Sequence, residues 1–396
     1  MKNVTILRLD NFGRGICYID DKITFVKNAL PDEIVDIEIT KENKKYNEAK
    51  VIKYVKKSDK RIDSKCPYYE LCGGCDLEHL SYDDGVEFKR NKLSYIFRNY
   101  YKDVDIVKSN KEYGYRNKIT LKVVDNVIGY YEEDSHRIVS ISDCLLARDS
   151  IREFIKDISL LNVINGEIVI RSNYNDELLI WIKSDDSLTI DFDSLNKYKI
   201  VGIIQNDKVL YGENSFVEIV NGKYYKISYD SFFQINSYIC GKIFDYIDSY
   251  LDNDEIILDL YCGVGTLGIG IGSHVKKVYG IEVIPNAILN AISNSKVNKL
   301  DNAYYLLGKC EDCIDKINDE VTSIIVDPPR AGLDKHTLET IIKFKARKIV
   351  YVSCDPMTLA RDLEELTKNY KIIEIKGFDM FPNTYHCESV CILERR

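Results

Sequence analysis

Strands and helices alternate along the C-terminal part of the chain, and this pattern restricts the fold more than any other feature. From residue 236, a helix over 237–251 is followed by the strand EIILDLY, a helix after GVGTLGIGI, the strand KVYGIE and the helix PNAILNAISNSKVN. The series continues with the strands AYYLL, TSIIVD and KIVYVS, the helices HTLETIIKF and PMTLARDLEEL, and the final strands KIIEIKGFDMF and ESVCILER. Such alternation predicts a doubly wound, parallel α/β sheet that binds ligands at the carboxyl ends of its strands.

The 396 residues leave room for two further domains before this sheet. Residues 1–58 alternate short β-rich runs with turns, which predicts a small OB-like β-barrel. Residues 59–235 combine a cysteine-rich loop, a helix near DDGVEFKRNKLSYIFRNY and many strands, which predicts a central α+β domain. The predicted domains are therefore 1–58, 59–235 and 236–396.

Composition indicates an ordinary globular protein, with 45% apolar and 30% charged residues. No apolar run approaches the length of about 18 residues that spans a bilayer, so we expect a cytoplasmic protein, without a membrane partner, that acts as a monomer. The formal charge of -8 does not favour nucleic acid, yet residues 41–61 carry nine Lys or Arg against three acids. This basic strip is suited to phosphates, and a solvated strand and linker explains it equally well.

A glycine-rich turn follows the buried run ILDLY, where Gly263 and Gly265 allow backbone amides to approach a ligand closely. The next strand ends in Glu282, about 20 residues on, where an acid can accept hydrogen bonds from ribose hydroxyls. Dinucleotide enzymes and S-adenosylmethionine enzymes share this arrangement. DLYCGVGT is not a complete GxGxxG fingerprint, and an acid both before and after the turn favours S-adenosylmethionine.

Two later strands end in Asp327-Pro328-Pro329-Arg330 and in Ser353-Cys354-Asp355-Pro356. The prolines stiffen the exit after Asp327. Amino-group methyltransferases end a similar motif in an aromatic residue, whereas this one ends in Arg330, which makes methylation of an exocyclic amine less favoured. A single cysteine is most often a buried residue with a structural role. At the edge of a cofactor crevice, however, Cys354 is a candidate nucleophile.

The stretch TYHCESV places Glu388 at the start of the last strand, with His386 two residues before it. Residues two apart share one face of a strand, so both side chains are predicted to face the crevice, with Glu388 as a base. The alternative is a polar strand end without a function.

Three cysteines lie close together on the glycine-bearing loop CPYYELCGGCDLEH: Cys66, Cys72 and Cys75. Clustered thiolates suit zinc or an iron–sulfur cluster, and Cys144 is the candidate fourth ligand. The spacing differs from the Cys-x3-Cys-x2-Cys of radical S-adenosylmethionine enzymes. Spacing alone leaves zinc and iron–sulfur open.

These motifs together resemble the RNA uracil-5-methyltransferase family, in particular its iron–sulfur branch that acts on 23S ribosomal RNA, with relatives that act on transfer RNA. YRNK, SFFQIN, DLYCGVGT, GIE, DPPR, SCDP and HCE occur in the order of the family. The N-terminal residues resemble a shortened TRAM domain, and there the pattern is weak. The resemblance implies an RNA substrate, ribosomal RNA in preference to transfer RNA.

The resemblance also implies roles for individual residues. Cys354 matches the nucleophile and Glu388 the base. Gln234, Tyr261, Glu282 and Asp327 match positions that bind S-adenosylmethionine, beside the glycines of the turn. A 4Fe–4S cluster is implied on four thiols: Cys66, Cys72, Cys75 and Cys144.

In the implied reaction, the thiolate of Cys354 adds to C6 of a flipped uracil, C5 takes the methyl group, and Glu388 removes the C5 proton. A cytosine C5-methyltransferase is the rival enzyme, although those usually carry the thiol in a Pro-Cys context. The rival from another class is an iron–sulfur protein that binds RNA or acts in redox chemistry and whose methyltransferase-like domain is inactive.

Overall fold

The computed structural model describes residues 1–132 and 135–396. The N-terminal unit is one six-stranded sheet, and its strands are β1 (Val4–Thr5), β2 (Arg8–Leu9), β3 (Gly15–Ile19), β4 (Lys22–Lys27), β5 (Ile34–Glu42) and β6 (Tyr46–Lys56). The strand order is β1-β5-β6-β4-β3-β2. β4 and β6 pair parallel, and every other neighbouring pair in this sheet is antiparallel. Alternate residues such as Val26, Val35 and Ile37 face inward and form its core, as period-two strands require.

The middle of the chain begins with a helix and a short strand and continues into a seven-stranded sheet. Its elements are α1 (Tyr82–Phe97), β7 (Asp105–Val107), β8 (Lys118–Val124), β9 (Val127–Tyr131), β10 (Ile138–Ser140), α2 (Asp149–Ile155), β11 (Gly166–Ser172), β12 (Leu178–Lys183), α3 (Phe192–Leu195), β13 (Ile200–Gln205) and β14 (Lys208–Gly212). The sheet order is β10-β9-β8-β11-β12-β13-β14. A separate hairpin follows, made of β15 (Ser215–Val220) and β16 (Lys223–Ser228).

The C-terminal part alternates helices and strands as the sequence predicts. Its elements are α4 (Ser237–Asp248), β17 (Ile256–Leu260), α5 (Thr266–Ile271), β18 (Lys277–Glu282), α6 (Pro285–Val297), β19 (Ala303–Leu307), α7 (Cys310–Cys313), β20 (Ser323–Val326), α8 (Lys335–Phe344), β21 (Lys348–Ser353), α9 (Pro356–Leu366), β22 (Tyr370–Phe378) and β23 (Glu388–Arg395). Helices cover both faces of the sheet, because neighbouring residues of one strand join different cores. Leu258 packs with α8 and α9, whereas Ile257 packs with α4 and α5.

The sheet is not parallel throughout, which corrects the sequence-based prediction of a parallel sheet. Its order is β19-β18-β17-β20-β21-β23-β22-β7, and the first five strands are parallel. β23 runs antiparallel to both β21 and β22. Two strands with no helix between them follow α9, so a parallel crossover between them is impossible. This reversal brings the beginning of β23 to the edge where β21 ends.

Residues of the predicted central range 59–235 also contribute to the C-terminal sheet. β7 pairs parallel with β22 at its outer edge. The apolar face of α1, including Leu93 and Phe97, packs in the same core as Leu258. The α1–β7 segment is therefore physically part of the C-terminal unit. Among the described residues, no helix has the length and apolar character needed to cross a membrane.

Candidate active site

The glycine-rich turn joins β17 to α5 and has the shape that a close ligand approach requires. Tyr261, Gly263 and Gly265 all have positive φ, at 62°, 55° and 82°. A Cβ on Gly265 would lie 2.9 Å from the hydroxyl of Tyr305, so a side chain there would clash. Glu282, at the end of β18, accepts a hydrogen bond of 3.1 Å on Oε2 from the amide of Gly263. The predicted turn and the predicted acid thus meet.

Asp259 on β17 is a buried acid that the sequence analysis noted only as part of DLYCGVGT. It is 1% exposed, and its Oδ2 accepts a 3.0 Å hydrogen bond from the amide of Gly268 in α5. Its Oδ1 has no hydrogen-bond partner among the described residues, and burial raises the pKa of this carboxyl to about 8. The residue fixes the start of α5 against the strand below the turn.

Asp327 directly follows β20, next to the end of β17. The side-chain amide of Gln234, in the loop before α4, donates a 3.3 Å hydrogen bond to Oδ2 of Asp327. Burial raises the pKa of Asp327 to about 7, and the Gln234 hydrogen bond opposes this. Two residues far apart in sequence are therefore joined at the same strand edge as the glycine turn.

Cys354 directly follows β21, and Glu388 is the first residue of the antiparallel neighbour β23. Ser353 at the end of β21 pairs with Ser389 of β23. Because the strands are antiparallel, Cys354 after Ser353 and Glu388 before Ser389 are the next residues in this register. Burial raises the pKa of the Cys354 thiol to about 12. The charges of Glu388 and Asp327 contribute to this rise, whereas Arg330 opposes it. Strand pairing thus places the predicted nucleophile beside the predicted base, within electrostatic reach of Asp327.

Glu388 is almost fully enclosed, with 2% exposure. Its Oε1 has no hydrogen-bond partner among the described residues, which is unusual for a buried carboxyl oxygen. Burial and the nearby Asp327 raise its pKa well above the ordinary value, and Arg330 lowers it. Once ionised, such a carboxylate is a strong proton acceptor.

His386 lies outside the strand, in the segment that we term the catalytic loop, residues 379–387 between β22 and β23. Because β23 starts at Glu388, strand alternation does not relate His386 to that residue, contrary to the sequence-based interpretation. The imidazole packs on Tyr385 with ring centroids 4.1 Å apart. Burial lowers the pKa of His386 to about 3, so the ring is neutral.

Helix α1 holds the catalytic loop in place. Lys89 Nζ lies 2.5 Å from Oδ1 of Asp379, with both side chains buried, and donates to the carbonyl of Phe381 at 2.9 Å. Lys92 Nζ donates to the carbonyl of Tyr385 at 3.0 Å. Removing one partner from a buried pair of this kind costs about 3–5 kcal/mol. The position of Glu388 therefore depends on a helix more than 280 residues earlier in the chain.

The four cysteines predicted to bind a cluster line one pocket, which we call the cysteine pocket. Its sulfurs come from two separate segments: Cys66, Cys72, Cys75 and Cys144. Over residues 1–132 and 135–396, however, no three His, Cys, Asp or Glu side chains form a ready ligand group for a metal ion. The convergence of the thiols fits a group bound by thiolates. The positions of these side chains do not form the coordination geometry of a metal site.

Arg116 also lines the cysteine pocket, and sequence reasoning assigned it no role. It lies in YRNK, which was used only as a motif. The preceding Tyr115 donates a 3.0 Å hydrogen bond to the carbonyl of Pro382 in the catalytic loop. The loop that carries three of the cysteines reaches the same segment, because the amide of Asp76 donates to the carbonyl of Asn383 at 3.0 Å. Nothing in the spacing could have revealed this proximity.

The basic strip at 41–61 is partly used within the protein itself. Arg61 forms a buried ion pair with Glu33. Lys50 pairs with Glu38 on the neighbouring strand at 2.9 Å, in an exposed position. Exposed pairs contribute little to stability and open readily. The strip therefore combines a structural role for Arg61 with lysines that remain accessible to anions.

Comparison with known proteins identifies matching families for both ends of the chain. The model of the tRNA (uracil-5-)-methyltransferase family matches residues 120–319 and 312–396. The TRAM domain model matches residues 1–52, the strands of the N-terminal sheet.

Several bacterial relatives match along their whole length. An uncharacterized RNA methyltransferase of Clostridium acetobutylicum is 34% identical, covering 97% of this chain and 95% of the relative. One of Listeria innocua is 32% identical, covering 99% and 97%. The crystal structure of Pyrococcus abyssi tRNA (uracil-54, C5)-methyltransferase with S-adenosyl-L-homocysteine superposes with a TM-score of 0.81 at 28% identity, covering 99% of this chain and 100% of that one. The chain therefore belongs to the tRNA (uracil-5-)-methyltransferase family and is an S-adenosylmethionine-dependent RNA methyltransferase with an N-terminal TRAM domain.

Proposed function

We propose that this protein methylates C5 of a specific uridine in RNA, with Cys354 as the nucleophile and Glu388 as the base. One observation carries the proposal: Ser353 pairs with Ser389, and Cys354 and Glu388 are the next residues in this register, at the edge where Asp327 and Gln234 meet. A thiol beside an enclosed carboxylate, at the cofactor edge of this fold, is what covalent methylation of a pyrimidine carbon requires.

Each side chain has a defined task in this reaction. Cys354 adds to C6 of uracil as the thiolate, and the electron pair of the C5–C6 double bond makes C5 nucleophilic. S-adenosylmethionine supplies the electrophilic methyl group that C5 takes up. Glu388 then accepts the C5 proton, the electrons of that C–H bond restore the double bond, and the thiolate leaves. The unpartnered Oε1 of Glu388 supports its assignment as the proton acceptor.

The cofactor site is proposed on the residues around the glycine turn. Tyr261, Gly263 and Gly265 shape the turn, and the carboxylate of Glu282 lies against it. Asp327, held by Gln234, lies at the next strand end. Uracil is reached only after the uridine leaves its stack, because neighbouring bases cover C5 and C6.

Two observations favour different classes of RNA substrate. The order of the motifs and the four-cysteine pattern favour 23S ribosomal RNA. The superposition on the tRNA (uracil-54, C5)-methyltransferase of P. abyssi favours transfer RNA to an equal degree. Ribosomal and transfer RNA are therefore both candidate substrates, and the number of target uridines is left to experiment.

We further propose that the cysteine pocket holds a 4Fe–4S cluster on Cys66, Cys72, Cys75 and Cys144. The convergence of four thiols from two segments supports this assignment. Iron–sulfur clusters take cysteine thiolates as their ligands. None of the steps above requires such a group, so its proposed role is to fix the loop that contacts the catalytic loop through Asp76.

The decisive experiment uses tritium in the methyl group of S-adenosylmethionine and RNA from cells that lack 5-methyluridine. Ribosomal and transfer RNA are separated, digested to nucleosides and counted. Radioactivity in 5-methyluridine is the expected result, and the fraction that carries it names the substrate. Label in cytosine or adenine would overturn the proposed function in favour of another methyltransferase activity. No label with either RNA would overturn it in favour of an RNA-binding protein without this activity.

A further inference from the structure

Aromatic rings connect the catalytic loop to the N-terminal sheet without a gap. The imidazole of His386 packs on Tyr385, and the Tyr385 ring meets Phe12 edge to face, with centroids 5.2 Å apart and planes at 78°. Lys92 Nζ lies 4.8 Å from the centroid of Tyr385. Phe12 belongs to the turn between β2 and β3. These three rings, which we call the ladder, therefore extend from His386, two residues before Glu388, to Phe12 in the TRAM domain. The proposed reaction uses none of them.

A polar cavity of about 200 Å³ opens beside this ladder. Phe12 and Arg14 border it from the TRAM domain, and Tyr385 borders it from the catalytic loop. Phe12 is 51% exposed, although it is a large apolar side chain. The Arg14 guanidinium lies 5.4 Å from the centroid of the Phe12 ring and forms an ion pair with Asp10. The cavity thus places a half-exposed aromatic ring next to a cation.

We propose that this cavity binds the base of a nucleotide adjacent to the target uridine, stacked on Phe12. The inference rests on the proposed function, because a uridine that is flipped out leaves its neighbours without a stacking partner. Exposed aromatic side chains bind single-stranded bases by stacking, whatever their identity, and a nearby arginine adds a cationic contact. Continuity of the ladder with the catalytic loop favours RNA over a protein partner. Phe12 would hold the strand while the next nucleotide occupies the catalytic pocket.

The test compares steady-state kinetics of the wild type and Phe12→Ala on bulk RNA that lacks 5-methyluridine. Loss of one base–aromatic stack should raise KM for RNA about tenfold. kcat at saturating RNA and KM for S-adenosylmethionine should stay unchanged. Phe12→Tyr keeps the ring and should restore KM, whereas Phe12→Leu keeps apolar bulk only and should resemble Phe12→Ala. Rescue by leucine would mean that Phe12 merely packs, and would overturn the proposal.

Tyr18 provides the matched control, because it is 53% exposed in the same domain and does not border the cavity. Tyr18→Ala should leave KM for RNA unchanged. If Tyr18→Ala raises KM as much as Phe12→Ala, the effect belongs to the whole domain and the site is wrong. Equal melting temperatures of the variants show that folding is intact.

Photo-crosslinking tests the same contact without mutation or turnover. Wild-type protein is irradiated with short-wavelength ultraviolet light in complex with unmodified transfer RNA or a ribosomal RNA fragment, so that a base of any identity can crosslink, and crosslinked peptides are identified by mass spectrometry. A crosslink to Phe12 or Tyr385 is expected, and crosslinks confined to other segments would overturn the inference. Absence of methylation by the wild type is a failure of the proposed function, whereas normal methylation with an unchanged KM in Phe12→Ala is a failure of this inference alone.

Discussion

The molecule places cysteines in two environments, and the contrast shows how neighbours decide what a thiol does. Cys354 stands alone at a strand end, with Glu388 and Asp327 raising its pKa and Arg330 opposing them. The cysteine pocket instead gathers four thiols beside Arg116, and the carboxyl side chains of Glu78 and Asp143 also line it. A single thiol beside a base suits transient bond formation, whereas converging thiols suit a permanent ligand.

The two sites also differ in how the chain builds them. Sheet register alone places Cys354 beside Glu388, since both lie directly next to paired strands. The cysteine pocket depends on a loop meeting a second segment, which brings Cys144 to residues about 70 positions earlier. The proposed nucleophile therefore directly follows a paired strand, whereas the pocket is built by irregular segments.

The largest expected effect is on turnover. Cys354→Ala removes the atom that must bond to C6, so methylation of RNA should fall about a thousandfold or more. Binding of S-adenosylmethionine, measured by calorimetry, should persist because the glycine turn is untouched. Cys391→Ala is the matched control, since Cys391 is a buried thiol of β23 away from the strand ends, and it should keep methylation. Turnover of Cys354→Ala close to that of the wild type would contradict the assignment of Cys354 as the nucleophile.

Glu388→Gln should stop the reaction one step later. Addition of Cys354 and methylation need no proton removal from C5, but release of the thiolate does. The variant should therefore accumulate a methylated protein–RNA adduct that survives a denaturing gel, while released product falls about a hundredfold. Cys354→Ala with the same RNA should give no adduct. Free turnover by Glu388→Gln would mean that another group accepts the proton.

Cys72→Ser tests the other environment. The wild type purified without oxygen should be brown and contain about four iron atoms per chain. The variant should lose the visible absorption band and melt about 5 °C lower or more, because metal binding contributes to folding. Its residual methylation should follow the folded fraction. Cys17→Ala alters a buried thiol of the N-terminal sheet and should keep the colour. A colourless wild type with stoichiometric zinc would contradict the cluster.

The smallest effect concerns the reactivity of Cys354 without RNA. Because its pKa is about 12, alkylation by iodoacetamide should be slow at pH 7 and should accelerate as pH rises towards 12, following the thiolate. Arg330 lowers this pKa and Glu388 raises it, so Arg330→Gln should slow alkylation about threefold and Glu388→Gln should speed it by a similar factor. Mass spectrometry of the Cys354 peptide measures the rates. Lys335→Gln, at an exposed cation of α8, should change nothing.

Much of the fold was accessible to sequence reasoning because it depends on local periodicity. The alternation of strands and helices predicted β17 to β21 and the helices α5, α6 and α8, and the structure confirms these elements, whereas the short helix α7 was not predicted. The antiparallel return of β23 and the addition of β7 to the sheet edge were missed. Strand direction and edge pairing are set by contacts between distant segments, which a local pattern does not contain.

The candidate site divides in the same way. Motifs located Asp327, Cys354 and Glu388 because strand ends carry polar residues in recognisable positions. No motif indicated that Asp259 supports the turn, that Lys89 fixes the catalytic loop or that Phe12 meets Tyr385. Each of these contacts joins side chains from separate elements.

The sequence by itself determined the residue types and their order: an acid and a glycine turn after one strand, a carboxylate and a thiol after two others, and a glutamate at the start of the last. Only the tertiary structure decided which of them meet. Register between β21 and β23 put Cys354 beside Glu388, and burial gave that carboxyl its unpartnered oxygen. The physical reason is that residue chemistry is local, whereas proximity, desolvation and pKa arise from packing between segments hundreds of residues apart.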